Sequence, residues 1–216
     1  MPASSKPRSH LRYPLTSILG SAGNVRVLRA IAADPSPQSV PQLAAVAGLT
    51  PQGTRLVLDA FARQRLVLAH GTGRAKLYAL NSSHPFAGAI VALFENERRR
   101  WDALLESVRQ ILIRHGEAVS AAWLYGSVAR GEDLPGSDLD IAVLVRSQAV
   151  ADRLREDLMP LEDEQALRIS LTALTPEELA AVPEDDPWWS DVVRDGRVLK
   201  GSAPDQVRRR LVRSIA

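Results

Sequence analysis

The stretch of sequence that decides the fold runs from Leu124 to Val145 and reads LYGSVARGEDLPGSDLDIAVLV. Apolar residues lead into the pair Gly126-Ser127, a pattern that predicts a buried strand ending in a tight turn. After a polar loop, Asp138 and Asp140 open a second apolar run that ends at Val145. The stretch therefore predicts two strands joined by a turn, the start of a helix and a loop.

The residue types at the two strand ends suit a ligand that carries phosphate groups and a divalent cation. Gly126 lets the backbone approach a ligand because it has no Cβ. Ser127, at a helix start, offers its hydroxyl and nearby backbone N–H groups to a phosphate chain. Asp138 and Asp140 are two residues apart, so their carboxylates point to the same face of a strand and repel each other. A hard cation such as Mg²⁺, which favours carboxylates together with phosphate oxygens, relieves that repulsion.

Taken singly, each motif is typical of an ordinary turn or a solvated loop. Together they resemble the core of the minimal nucleotidyltransferases in the DNA polymerase beta superfamily. The resemblance implies that Gly126 and Ser127 bind the triphosphate of an NTP and that Asp138 and Asp140 bind Mg²⁺ or Mn²⁺. Ser127, Asp138 and Asp140 are then the candidate catalytic residues. Arg130 is a further candidate for phosphate binding, and anchoring of the loop is the alternative for it.

One part of the family pattern is absent from the sequence. The superfamily usually carries a third carboxylate on a later strand, but the alternating run 167–174 contains no acid. Ser170 and Thr172 occupy the face where that acid is expected. Thr175 and Glu178 have the spacing of a helix capping box, so we expect capping rather than metal binding from Glu178. Slow chemistry, an acid supplied from elsewhere and a pocket that binds without reacting remain open.

Composition is that of an ordinary soluble globular protein, with 45% hydrophobic and 24% charged residues. The chain has no cysteine, which excludes disulfides and cysteine-based zinc sites. Residues 1–15 are polar and basic, and no stretch approaches the roughly eighteen apolar residues of a membrane span. We therefore expect a cytoplasmic protein with no membrane association.

Charge is distributed unevenly along the chain. Residues 1–82 carry ten Lys or Arg and two Asp, a formal charge of +8. The remaining residues carry 17 basic and 23 acidic side chains, a formal charge of −6, and the whole chain is +2. This asymmetry is expected when one module of a protein binds nucleic acid.

Residues 1–82 are predicted to form a small helical domain that ends in a hairpin. Ser39 and Thr50 each precede a proline in the first helical turn, so both are predicted helix N-caps. Gly48 separates the two helices, and Arg65 stands where a C-terminal glycine is usual. The predicted elements are helices over 18–33, 40–47 and 51–64 and a hairpin with a glycine-rich tip over 66–80.

This order of elements resembles the winged helix-turn-helix of small bacterial regulators. The resemblance implies binding to double-stranded DNA, with the helix after the glycine turn in the major groove and the wing on the backbone or minor groove. Winged-helix proteins commonly bind two-fold sites, so a homodimer is expected. A domain used only for dimerisation or docking is the alternative. The implied DNA-binding residues are Thr50, Gln52, Gly53 and Arg55 on the helix and Thr72, Arg74 and Lys76 on the wing.

The predicted architecture is α+β in two domains. Residues 1–82 form the winged helix-turn-helix domain, and residues 83–216 form a minimal nucleotidyltransferase domain with a mixed sheet flanked by helices. A polar break over 81–85 marks the boundary. A connector helix over 86–115 opens the second domain.

Three functions fit this organisation. The first is a magnesium-dependent nucleotidyltransferase, tethered to DNA, that moves NMP from an NTP to a hydroxyl of a protein, an RNA or a small molecule. The second is a transcription regulator whose former catalytic domain senses a nucleotide, which the absent third acid favours. The third is an antitoxin-like interaction protein, because similar fusions occur among toxin–antitoxin components. A carboxylate close to Asp138 and Asp140 would favour the enzyme, and Ser170 or Thr172 alone would favour the sensor.

Overall fold

The computed structural model describes residues 9–72 and 76–215. The chain folds into two compact units, residues 1–100 and residues 101–216. The boundary predicted between residues 82 and 83 lies inside the first unit, because the first part of the next helix packs in that unit's core. Within the described ranges, no helix is both long and apolar enough to cross a membrane.

The described residues of the first unit form four α-helices, the start of a fifth and one small antiparallel sheet. Its strands lie in the order β1-β3-β2, so the hairpin β2–β3 is extended on one side by β1. The helices are α1 Leu15–Ile18, α2 Ala22–Ala33, α3 Val40–Ala47 and α4 Pro51–Arg63, and α5 starts at Ala87; the strands are β1 Gln38–Ser39, β2 Val67–His70 and β3 Leu77–Leu80.

Local capping explains where these helices begin and end. The helix predicted over 18–33 begins only at Ala22, because Ser21 caps it by accepting a hydrogen bond from the Asn24 backbone N–H. The predicted caps at Ser39 and Thr50 are confirmed, and Gln42 completes a capping box with Ser39. Arg65, after α4, adopts a left-handed φ of 56°, the conformation that usually selects glycine.

The core of the first unit joins all of its main elements. Leu28 and Ile31 of α2, Leu58 of α4 and Tyr78 of β3 are buried there, and Phe94 of α5 packs with them. Burial of this apolar surface is the main driving force for folding the unit. It also explains why the first part of α5 belongs to this unit.

The second unit is built around a four-stranded mixed sheet in the order β6-β5-β4-β7. β5 and β6 are parallel, whereas β4 is antiparallel to both of its neighbours. The predicted mixed sheet flanked by helices is therefore present. The strands are β4 Val119–Tyr125, β5 Leu139–Val145, β6 Ile169–Leu174 and β7 Arg197–Lys200; the helices are α5 Ala87–Arg114 in its second part, α6 Gly126–Arg130, α7 Gln148–Gln165, α8 Pro176–Ala181, α9 Pro187–Asp195 and α10 Pro204–Ile215.

Helices cover both faces of this sheet. On one face, Leu112 of α5 and Leu154 of α7 pack against Ile141 and the neighbouring apolar residues of β4 and β5. On the other face, Trp189 and its neighbours on α8 and α9 pack against Trp123. Alternate residues of β5 thus enter different cores, as a two-sided strand requires. Asp140 is in register with Tyr125 at the end of the face that α8 and α9 cover.

Candidate active site

The turn after β4 packs closely against a carboxylate of β5. Gly126 has a φ of 76°, a backbone conformation that side-chain-bearing residues rarely adopt. A Cβ built on Gly126 would lie 2.4 Å from Oδ2 of Asp140, far closer than van der Waals contact allows. The α6 helix starts at this glycine, and no side chain caps its N-terminus. Only glycine therefore permits this approach of the turn to Asp140.

Asp140 lies beside this turn, and the other predicted aspartate, Asp138, differs from it in environment. Asp138 is exposed just before β5, whereas Asp140 is half-buried within the strand. Burial raises the pKa of Asp140, a hydrogen bond with Ser170 opposes that shift, and the negative charge of Asp138 adds to it. A partly desolvated carboxylate next to a second one favours a cation between them. Asp138 and Asp140 are accordingly the residues that fit a magnesium ion.

The third carboxylate expected from the family pattern is not supplied by β6. Ser170 lies opposite Asp140 in the parallel β5–β6 register, and its hydroxyl lowers the pKa of the Asp140 carboxylate. Thr172 is two residues further on, with its hydroxyl 3.3 Å from the Tyr125 hydroxyl. Of the residues that the structure describes, no three His, Cys, Asp or Glu side chains form a group that could hold a metal ion. The site therefore presents two carboxylates and a serine.

Two acidic residues that flank β6 in the sequence have structural roles. Glu178 accepts a hydrogen bond from the Thr175 backbone N–H at 2.8 Å, and its own N–H donates to the Thr175 hydroxyl at 3.3 Å. The predicted capping box is thus confirmed. Glu162 accepts a hydrogen bond from the Ile169 backbone N–H at 2.6 Å, which ties α7 to the start of β6.

Arg130, at the end of α6, is bound by two carboxylates. Its Nη1 lies 2.6 Å from Oδ2 of Asp195, and its Nε lies 2.7 Å from Oε2 of Glu132. Asp195, at the end of α9, also accepts hydrogen bonds from Arg194. These contacts place the Arg130 side chain in an ion pair that links α6 to α9, and phosphate binding by Arg130 stays a prediction.

Sequence reasoning missed Asp195 and Trp188, two residues that contact the segment from the end of β4 to the end of α6. Trp188 donates from Nε1 to the Tyr125 hydroxyl at 3.0 Å, and the two rings are edge to face at 6.1 Å. Both residues are more than sixty positions from their partners in the sequence, so no local pattern indicates the contacts. The acidic N-cap and the proline at the start of α9 are typical of a helix start and indicate nothing about these contacts.

The candidate DNA-binding residues lie in the first unit and are mostly exposed. Gln52 and Arg55 are exposed near the start of α4, and Gly53 is half-buried. The Thr50 hydroxyl accepts a hydrogen bond from the Gly53 N–H at 3.1 Å, so it serves as the helix cap. Thr72 and Lys76 flank the tip of the hairpin and are exposed, and Arg74 lies outside the described residues.

Comparison with known families found a match for the region that contains the turn and the two aspartates. Residues 106–180 match the family model described as "Polymerase beta, Nucleotidyltransferase". The match contains Gly126, Ser127, Asp138, Asp140 and the strand that carries Ser170, and it ends before α9. This part of the chain therefore resembles a polymerase beta-type nucleotidyltransferase domain.

Individual proteins resemble the chain more distantly. The exodeoxyribonuclease 7 large subunit of Thermobifida fusca (strain YX) is 28% identical over 236 aligned residues, which cover 94% of this chain and 53% of that protein. The chain therefore spans about half the length of this curated relative. A crystal structure of a toxin-antitoxin with AMP-PNP is 19% identical with a TM-score of 0.38, covering 51% of this chain and 86% of the other. The AntR antimony-specific transcriptional repressor is 20% identical with a TM-score of 0.37, covering 47% and 93%.

Proposed function

We propose that the second unit is a magnesium-dependent nucleotidyltransferase, which transfers NMP from an NTP to an acceptor hydroxyl and releases pyrophosphate. The observation that carries the proposal is the approach of the Gly126 turn to the Asp140 carboxylate, inside a region that matches the polymerase beta family model. A phosphate-binding turn and a cation-binding carboxylate are needed side by side in this reaction. The acceptor can be a protein, an RNA or a small molecule.

Each residue of the site has a proposed role. The backbone at Gly126 and the hydroxyl of Ser127 hold the triphosphate, because α6 begins with N–H groups that no side chain caps. Asp138 and Asp140 hold the magnesium ion. A bound magnesium ion supplies Lewis-acid chemistry, which neutralises charge on the phosphates and favours loss of the acceptor proton. Arg130 is assigned to anchoring α6 through Asp195.

The first unit is proposed to be a winged helix that binds double-stranded DNA as a homodimer. The order α2, α3, α4 and hairpin, with β1 added to β3, supports this assignment. The +8 charge of residues 1–82 supplies the attraction to phosphate groups. Thr50, Gln52, Gly53 and Arg55 are proposed for the major groove, with Thr72, Arg74 and Lys76 on the wing. DNA binding would hold the enzyme at a genomic site.

A test of the transfer reaction uses NTP labelled on the α-phosphate, offered with magnesium to RNA and protein acceptors. We expect label transfer by the wild-type protein and none by the double variant Asp138→Ala, Asp140→Ala. The matched control is Asp133→Ala, an exposed acid in the same loop, which should retain transfer. Equal labelling by the double variant and the control would overturn the assignment.

A nucleotide-sensing regulator is a second candidate, and it is favoured by the serine that lies opposite Asp140, where the family pattern has a third acid. With serine in place of a third acid, the site would bind Mg·NTP without reacting. Calorimetry with α,β-methylene ATP, whose α–β linkage cannot be cleaved, measures binding separately from transfer. Binding without transfer, together with a nucleotide-dependent change in DNA affinity, supports the sensor. Transfer of label supports the enzyme.

A further inference from the structure

Helix α9 contacts both ends of the segment Tyr125–Arg130, which contains the proposed phosphate-binding turn. At the start of the segment, Trp188 donates a hydrogen bond to the Tyr125 hydroxyl at 3.0 Å. At its end, the Arg130 guanidinium lies 2.6 Å from the Asp195 carboxylate. The turn at Gly126-Ser127 lies between these two contacts.

The two contacts come from one face of α9. Trp188, Val192 and Asp195 are spaced at i, i+4 and i+7, which places them along the same side of a helix. Val192 is fully buried in the core against the sheet. Asp186 caps the helix by accepting a hydrogen bond from the Trp189 N–H at 2.8 Å. This face of α9 is therefore fixed on the sheet between its two polar contacts.

The contact between Asp195 and Arg130 is an ion pair whose carboxylate is largely shielded from solvent. Only 5% of the Asp195 side chain is exposed, and it accepts hydrogen bonds from Arg194 at 2.8 and 2.9 Å as well as from Arg130. The hydrogen bonds from Arg194 lower the pKa of Asp195 to about 2; burial opposes this shift, and the hydrogen bond from Arg130 adds to it. The carboxylate is thus ionised at neutral pH, and its ion pair with Arg130 links α6 to α9.

We propose that Asp195 and Trp188 are positioning residues, which together hold Tyr125–Arg130 so that Ser127 and the first N–H groups of α6 face the triphosphate. Both residues lie beyond the region 106–180 that matches the family model. The inference rests on the proposed function, since it assigns these contacts to the same phosphate site. Neither side chain is assigned a contact with the nucleotide itself.

Hydrogen exchange on the nucleotide-free protein tests this positioning role directly. In Asp195→Asn, we expect the amides of residues 126–131 to exchange on the order of tenfold faster, because loss of the ion pair lets α6 open locally. The matched control is Asp191→Asn. Asp191 is on the same helix and also pairs with Arg194, but not with Arg130. Equal exchange in the two variants, or faster exchange spread over the whole unit, would overturn the proposal.

Nucleotide affinity provides the functional readout. With magnesium and α,β-methylene ATP, we expect the Kd to weaken about tenfold in Asp195→Asn and less in Trp188→Phe, because a displaced turn loses phosphate contacts. Asp195→Glu retains the charge and should recover part of the affinity. Tighter binding by Asp195→Asn would overturn the proposal, since it would make Arg130 a phosphate ligand that Asp195 restrains. If the wild-type protein binds no nucleotide, the proposed function fails, while the exchange measurement still decides whether α9 holds the turn.

Discussion

The two units build their candidate binding surfaces in different ways. In the first unit, the candidate DNA-binding residues follow one another on α4 and around one hairpin, and a local cap at Thr50 fixes the start of the helix. In the second unit, the site combines the end of β4, the start of β5 and a residue of β6, with α9 behind them. In a surface made from residues that are neighbours in the sequence, the effect of a substitution stays local. A site assembled across a sheet depends on every element that sets its register.

The largest effect is expected from Gly126→Ala. This variant tests whether the site of the second unit depends on the close approach of Gly126 to Asp140. The new Cβ would lie 2.4 Å from Asp140, and a φ of 76° strains any side chain. We expect nucleotide affinity to fall at least ~100-fold and stability to fall by about 1–3 kcal/mol. Calorimetry and chemical denaturation measure the two losses.

Gly131→Ala is the matched control for this change. Gly131 ends α6 with a φ of 73°, but a Cβ there would meet no atom within 4 Å. We expect only the cost of the left-handed backbone, about 1 kcal/mol, with nucleotide affinity retained. If both variants lose affinity equally, the contact with Asp140 is not what fixes the turn.

Ser170→Asp should increase the affinity of the second unit's site for magnesium. The new carboxylate would lie opposite Asp140 in the β5–β6 register and complete a three-acid cation site. We expect magnesium affinity, followed by calorimetry, to rise about tenfold, because charge count sets affinity for a hard cation. Without magnesium, the third negative charge should lower the melting temperature.

Thr172→Asp serves as the control for Ser170→Asp, since Thr172 is opposite Ala142 and its hydroxyl contacts Tyr125 instead. Equal gains from both variants would show that added charge alone is responsible. Label transfer that increases only in Ser170→Asp would show that the absent acid limits the chemistry.

In the first unit, we expect a moderate effect from Arg55→Ala. Arg55 is exposed near the start of α4, the helix proposed for the major groove. Duplex affinity should fall about tenfold, with a shallower salt dependence if Arg55 contacts a phosphate. Arg63→Ala, an exposed residue in the last turn of the same helix, is the control. Duplex affinity that is equal in both variants would remove α4 from the proposed interface.

The smallest effect concerns the pH dependence of Asp140. Because burial raises the pKa of Asp140, its folded form holds a proton more tightly than its unfolded form does. The resulting stability is present below about pH 4 and is lost as the pH rises through the raised value. Asp140→Asn carries no such charge, so it should melt roughly 1–3 °C higher than wild type at neutral pH and equally at low pH. A variant that melts lower at neutral pH would contradict the burial argument.

Local chemistry explains what could be predicted from the sequence. The caps at Ser39, Thr50 and Thr175 were predictable because each side chain bonds the backbone three residues away. The Gly126 turn and the two aspartates were predictable because their chemistry lies within one short stretch. The proposed DNA interface rests on the same kind of local pattern, and it stays a prediction.

Most of what could not be predicted depends on contacts between distant parts of the chain. The start of α2 is a local exception, which was misplaced because the Ser21 cap outweighs the apolar periodicity that extends back to Ile18. The boundary between the units differs from the predicted one because Phe94 is buried with residues far from it in sequence. The ion pair of Arg130 with Asp195 depends on how α9 packs on the sheet, which no local pattern encodes.

The contact between Gly126 and Asp140 makes the two positions epistatic. As long as position 140 carries a carboxylate, a side chain at position 126 has no room, so the effect of each substitution depends on the other residue. An alanine at position 126 should be far less harmful to folding once Asp140 is replaced by glycine, although nucleotide binding would be lost. A lineage that abandoned the chemistry could therefore drift at both positions together, and a pairwise mutational scan would detect that coupling.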